Sequence, residues 1–84
     1  MERTKITEMV LEMVNQNTGV DISSLNEATS QIDLGIDSIL LIDLMLALED
    51  RLEFSFSSLE MPRNPTIGNI VDMIEKEMSA KSAG

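Results

Sequence analysis

The residues best placed to do chemistry lie where the chain reads Asp33-Leu34-Gly35-Ile36-Asp37-Ser38-Ile39. One hydroxyl, that of Ser38, stands between an acid and a branched aliphatic, where a polar connection gives way to a strongly apolar segment. A serine hydroxyl is a weak nucleophile until a base takes its proton. The chain has no His and no Cys, so it lacks the usual general base near neutrality and the usual thiol nucleophile. Carboxylates and lysines remain, but nothing in the sequence sets them up for acid–base work, and the chain is expected not to be an enzyme. Serine is common at helix starts, and alone Ser38 would read as an ordinary helix-initiating residue. Asp37 before it, Gly35 three back and Ile39 after it make the run more specific than that.

The element that must present Ser38 is a helix from about Ser38 to Leu52. This stretch has no Gly or Pro and is dense in Leu, a good helix former. Asp37 is the expected N-cap, and its carboxylate suits the positive end of the helix dipole. Upstream, Ile6, Met9, Val10, Met13 and Val14 follow the spacing of an amphipathic helix, with Thr4 as N-cap and Asn17-Thr18-Gly19 as its stop. The connection from Val20 to Asp37 is rich in Ser, Asn, Asp and Thr, and connections of this length tend to be functional. Ile22, Leu25, Ile32 and Leu34 are expected to pin it to the core. A short helical turn is expected around Ser57 to Met61, ended by Pro62 and Pro65. Thr66 then caps a last helix carrying Ile67, Ile70, Val71, Ile74 and Met78, and residues 79–84 form a frayed tail. No internal repeat or strand-type alternation is present. The expected fold is all-α: a single domain over 1–84, a three-to-four-helix bundle with a long first loop and a short third helix.

Composition narrows the functional classes. The 84 residues carry a net charge of −9. Between Ile6 and Asp50 there are nine acids and no Lys or Arg. Such a surface repels nucleic acid and anionic membrane and steers basic protein partners. Without Cys there is no disulfide framework and no Cys-based metal site. No stretch reaches the ~20 apolar residues of a membrane span, and no signal-type apolar core follows the N-terminal charges, so the expected location is the cytoplasm. With two Phe as the only aromatics and seven Met, the core must be built of aliphatics and of flexible, gap-filling Met.

Unrolled at about 100° per residue, the Ser38–Leu52 helix shows two apolar faces. Leu41, Leu44, Met45, Leu48 and Leu52 share one arc, the expected core face. Ile39, Ile42 and Leu46 form a second strip that starts beside Ser38, bordered by Asp43, Glu49 and Asp50. An apolar strip rimmed by carboxylates suits protein docking. Burial of this second strip under the first loop and the short third helix fits the pattern equally well.

The run from Asp33 to Ile39 resembles the attachment motif of acyl carrier proteins, Asp-Leu-Gly-X-Asp-Ser-Leu, with Ile39 in place of the usual Leu. The likeness extends to the acidic charge, the helix order, the long first loop and the closing run Pro65-Thr66-Ile67-Gly68-Asn69-Ile70-Val71. It implies that Ser38 carries 4′-phosphopantetheine, installed from coenzyme A by a separate phosphopantetheinyl transferase. The thiol of that arm then holds acyl groups as thioesters, which explains how a chain without Cys handles them. It further implies partners that approach over Asp37, Ile39, Ile42, Asp43, Leu46, Glu49 and Asp50. These partners are an acyltransferase or acyl ligase, and a ketosynthase or other acyl-processing enzyme. The carrier itself is expected to be a monomer. Fatty-acid carriers of the family usually place an acid where this chain has Leu40, and the Gly-Ile-Asp-Ser-Ile wording is closer to carriers of polyketide pathways. Fatty-acid, D-alanyl and unusual-extender-unit carriers remain alternatives. The rival of another class is an acidic helical adaptor without a cofactor.

Overall fold

Apolar residues at helical spacing leave three long segments no way to bury their faces except against one another, and they pack as the sequence predicts. The computed structural model describes residues 2–57 and 61–83, with side chains through Ser79. Helix α1 spans Arg3–Thr18, the short α2 Gln31–Leu34, α3 Ser38–Leu52 and α4 Ile67–Ala83. A single 3₁₀ turn, Ile22–Ser24, lies in the first connection. No strand forms among the described residues, and the one β-type contact is an isolated antiparallel bridge between Ser30 and Thr66. The turn expected around Ser57 to Met61 falls on residues 58–60, which lie outside the described residues.

Helix α1 packs against both α3 and α4. Its Ile6, Val10, Met13 and Val14 are buried, as are Leu41, Leu44, Met45, Leu48 and Leu52 of α3 and Ile67, Ile70, Val71 and Ile74 of α4. The core arc expected for α3 is therefore the one observed. Among the described methionines, Met13 and Met45 reach the buried core, whereas Met9, Met61, Met73 and Met78 pack around its edge. Branched aliphatics fill the centre and Met fills the rim. Phe54 and Phe56 pack edge to face with ring centroids 4.7 Å apart, just beyond the end of α3.

The helix ends differ from expectation at two places. The N-cap of α1 is Glu2, which makes no side-chain cap bond, and Thr4 lies inside the helix. The start is anchored instead by Arg3, whose guanidinium donates to Glu27, to Asp72 at 2.7 Å and to Glu75 at 2.5 Å. These three acceptors hold the Arg3 guanidinium even more firmly protonated than usual. At the other end, α4 continues to Ala83, past Ser79, where fraying was expected. Nothing between Asn69 and Ala83 interrupts it, since the stretch holds neither Gly nor Pro. Thr66 caps α4 as expected. Its Oγ1 accepts the Asn69 N–H at 3.1 Å, and Asn69 Oδ1 accepts the Thr66 N–H at 2.9 Å.

The first connection is held by polar bonds more than by its apolar residues. Of the four expected anchors only Leu25 is buried, Leu34 is half-buried, and Ile22 and Ile32 are exposed. Backbone bonds supply the rest. Gln31 N–H donates to the Pro65 carbonyl, Ile67 N–H to Thr29 and Gly68 N–H to Glu27, each at 2.9 Å. This seam explains Gly68: a Cβ there would lie 3.1 Å from the Glu27 carbonyl oxygen and 3.3 Å from Glu27 Cβ. In an open helix, Gly→Ala gains up to about 1 kcal/mol, but pressing a methyl into a filled site costs about 1–3 kcal/mol. Gly68→Ala is therefore expected to lower stability by about 1 kcal/mol net, read as a lower melting temperature by circular dichroism. A raised melting temperature would show that the seam yields.

Candidate functional site

The turn leading into α3 follows from residues 30–37. Ser30 and Asp33 close a capping box on α2. Ser30 N–H donates to Asp33 Oδ2 at 3.0 Å, and Asp33 N–H donates to Ser30 Oγ at 3.2 Å. Four residues later the helix must stop. Gly35 stops it in the left-handed region at φ 67°, with its N–H directed to the Gln31 and Ile32 carbonyls. Nothing lies within 4 Å of a Cβ built there, so conformation and not space calls for glycine. Gln31 Nε2 donates to the Ile36 carbonyl at 3.1 Å and holds the following residues. Asp37 then caps α3, its Oδ1 accepting the Leu40 N–H at 2.8 Å.

Ser38 is the first residue of α3 and is exposed. Its hydroxyl makes no hydrogen bond to any described residue. It stands at the positive end of a 15-residue helix, where backbone N–H groups and the helix dipole favour an anion. It also lines a cavity of about 210 Å³ together with Gln31, Ile42, Met61, Pro62 and Arg63. A phosphate ester on this oxygen would meet no buried obstruction and would sit in a favourable field. The residues present therefore fit a phosphate-linked group.

The second strip of α3 lies open. Ile39 is 73% exposed, Ile42 43% and Leu46 50%. Asp43 and Asp50 beside it are exposed. Glu49 differs from the sequence reading: it is half-buried, and its Oε2 accepts the Phe56 N–H at 2.7 Å, fastening the turn after α3. Asp37 likewise serves the helix start. The carboxylates left free to meet a partner are thus Asp43 and Asp50. Toward its end the strip runs into an open groove of about 550 Å³ lined by Leu46, Glu49, Asp50, Glu53 and Phe54. Glu49 is about 16 Å along the helix from Ser38, at 1.5 Å per residue.

Sequence reasoning missed two residues here. Ile32, expected as a core anchor, is 75% exposed. Arg63 was passed over, although it is the one base between Arg51 and Lys76 and is flanked by Pro62 and Pro65. That isolation was the available signal.

A small helical bundle that holds an exposed hydroxyl at a helix start, beside an open apolar strip, has the form of a carrier. Comparison with known proteins agrees. Residues 8–74 match the family model described as "Phosphopantetheine attachment site". The acyl carrier protein of Thermotoga maritima is 32% identical over 77 residues, covering 90% of this chain and 95% of that protein. The acyl carrier protein of Coprothermobacter proteolyticus is 29% identical over 82 residues, covering 96% of this chain and all of that one. A non-reducing polyketide synthase of Talaromyces marneffei, pks12, is 28% identical over 72 residues. That match covers 86% of this chain and 4% of the synthase. The chain belongs to the phosphopantetheine attachment-site family. Its function is that of an acyl carrier with 4′-phosphopantetheine as its cofactor. No helix among the described residues is long and apolar enough to cross a membrane.

Proposed function

We propose that Ser38 is the attachment point and that the strip beside it receives the partner enzymes. One observation carries the assignment. Within the turn, Gln31, Asp33 and Asp37 all have their side chains engaged in fold-stabilising bonds, whereas the Ser38 hydroxyl is exposed and engaged in none. The Ser38 Oγ then bonds to the pantetheine-side phosphorus of coenzyme A when a phosphopantetheinyl transferase acts on the chain: the pyrophosphate P–O bond breaks, adenosine 3′,5′-bisphosphate leaves, and the serine proton passes to the transferase. Once in place, the arm supplies a thiol that holds acyl groups as thioesters. The protein's part is to present Ser38 on a rigid helix start, to keep the arm's root in a favourable field and to guide partners toward it. On this reading the chain is a substrate of other enzymes and catalyses nothing itself. It works as a monomer in the cytoplasm, with an acyltransferase or acyl ligase and a ketosynthase or related enzyme.

A polyketide or related specialised pathway is the preferred setting. It is supported by Leu40 where fatty-acid carriers usually have an acid, and by the similarity to a polyketide synthase. Fatty-acid, D-alanyl and unusual-extender-unit carriage are the alternatives. Incubation of the apo-protein with coenzyme A and a promiscuous transferase tests the attachment by intact mass. One added phosphopantetheine is expected, and no addition would leave the adaptor reading standing.

Docking is expected to depend on Asp43 and Asp50. Charge at an exposed rim acts mainly on the rate of encounter. Reversing one such charge should slow transferase modification up to about fivefold at low salt, with each exposed pair worth ~0–1 kcal/mol. The wild type should be more salt-sensitive than Asp43→Lys or Asp50→Lys. Glu49→Lys should instead lower the melting temperature, because it breaks the bond to Phe56. Unchanged modification rates in the two Asp variants would place the docking surface elsewhere.

A further inference from the structure

We infer that Arg63 is a positioning residue that holds the phosphate at the root of the Ser38 arm. The inference deepens the attachment reading and rests on it. Esterified Ser38 would carry an added negative charge in a chain already at −9. Its neighbour Asp37 is a carboxylate whose Oδ1 already faces the start of α3 and accepts the Leu40 N–H. The helix end alone must then serve two anions, and a nearby cation would relieve the conflict.

Arg63 meets that need on three counts. It lines the same cavity of about 210 Å³ as Ser38. It makes no ion pair or hydrogen bond among the described residues, whereas Arg3 pairs with three carboxylates and Arg51 with Glu12 at 3.3 Å. In a chain with 15 acids and 6 bases, a guanidinium without a carboxylate next to the acceptor serine is unusual. Finally, its segment is fixed against the turn that carries Ser38. Asn64 Oδ1 accepts the Ile32 N–H at 3.0 Å, and the Pro65 carbonyl accepts the Gln31 N–H at 2.9 Å. Pro62 and Pro65 restrict the backbone on either side. The planar fork of Arg suits two phosphate oxygens at once, which a Lys ammonium does not match.

The test uses nitrogen-labelled full-length protein in apo form and in holo form, with intact mass proving the conversion. The readouts are the Arg63 Nε–Hε signal and the ³¹P signal of the holo-protein. Conversion should shift the Arg63 signal, and the shift should shrink in about 1 M salt, where screening acts within about 3 Å. The ³¹P signal of holo Arg63→Gln should differ from that of the wild type, with Arg63→Lys between them. Arg63 is exposed and makes no bond among the described residues, so both variants should fold and accept the arm. A mass-confirmed holo-protein whose Arg63 signal equals that of the apo form, with the ³¹P signal unchanged in Arg63→Gln, overturns the inference and leaves the attachment reading intact. A wild type that gains no mass overturns both.

Discussion

Ser38→Ala is expected to take up no phosphopantetheine under conditions in which the wild type is fully converted, and to melt at the same temperature as the wild-type apo-protein. The contrast follows from how little Ser38 does for the fold. Its hydroxyl bonds to nothing described, and Asp37, which caps α3, is untouched by the change. Alanine at the first helical position is a good helix former. Five other serines are not placed as Ser38 is. Ser30 is buried and its Oγ caps α2. Ser23 and Ser57 donate their hydroxyls to Asp21 and Glu77. Ser24 and Ser55 are exposed but do not open a helix beside an apolar strip. The measurement is intact mass of the variant after exhaustive treatment. A full mass gain on Ser38→Ala would move the site elsewhere and remove the basis for the strip beside it.

Leu48→Ala should give the largest loss of stability. Leu48 is fully buried in the middle of α3, on the face that meets α1. Leu→Ala at such a site removes apolar contact and leaves a cavity, together about 2–5 kcal/mol. A domain of this size has about 4–13 kcal/mol in all, at 0.05–0.15 kcal/mol per residue. The variant should therefore lose a large share of its stability and approach partial unfolding at 37 °C. Leu46→Ala makes the same chemical change two residues away, on the exposed strip, and should fall within about 0.5 kcal/mol of wild type. Urea unfolding of the pair decides the matter. Equal losses would mean that the strip is packed, and the docking reading would fall with it.

The helices and the core were legible because both rest on periodicity. Leu41, Leu44, Met45, Leu48 and Leu52 could be assigned to one face by counting, and each is buried. The cap at Asp37 was legible because a carboxylate directly before an apolar run has few other uses. Four features were not legible, and each for a stated reason. Ile22 and Ile32 looked like anchors because burial is the default for large aliphatics. The connection is instead held by backbone bonds that join its Gln31, Thr29 and Glu27 to Pro65, Ile67 and Gly68, which leave no trace in side-chain type. Thr4 looked like a cap, but Arg3 found three carboxylates from 24 to 72 residues away. Such long-range charge pairing has no local pattern. Glu49 lay on the rim of the strip by angle, yet it bonds Phe56 across a turn whose course the sequence did not disclose. Arg63 is brought to Ser38 only by the seam that joins residues 29–31 to 65–67.

The open strip on α3 also bears on how molecules of this chain treat one another. Ile39, Ile42 and Leu46 form a hydrophobic face that matches any second copy as readily as it matches a partner enzyme. At neutral pH such pairing is opposed by their shared sign, since each copy approaches the next with nine surplus negative charges. That colloidal protection is lost toward the isoelectric point, near pH 4.1, where mutual repulsion vanishes while the strip stays apolar. On the proposed reading the acidity of the chain serves two ends: it would draw basic partners toward Ser38, and it would keep a surface suited to transient contact from closing on its own kind.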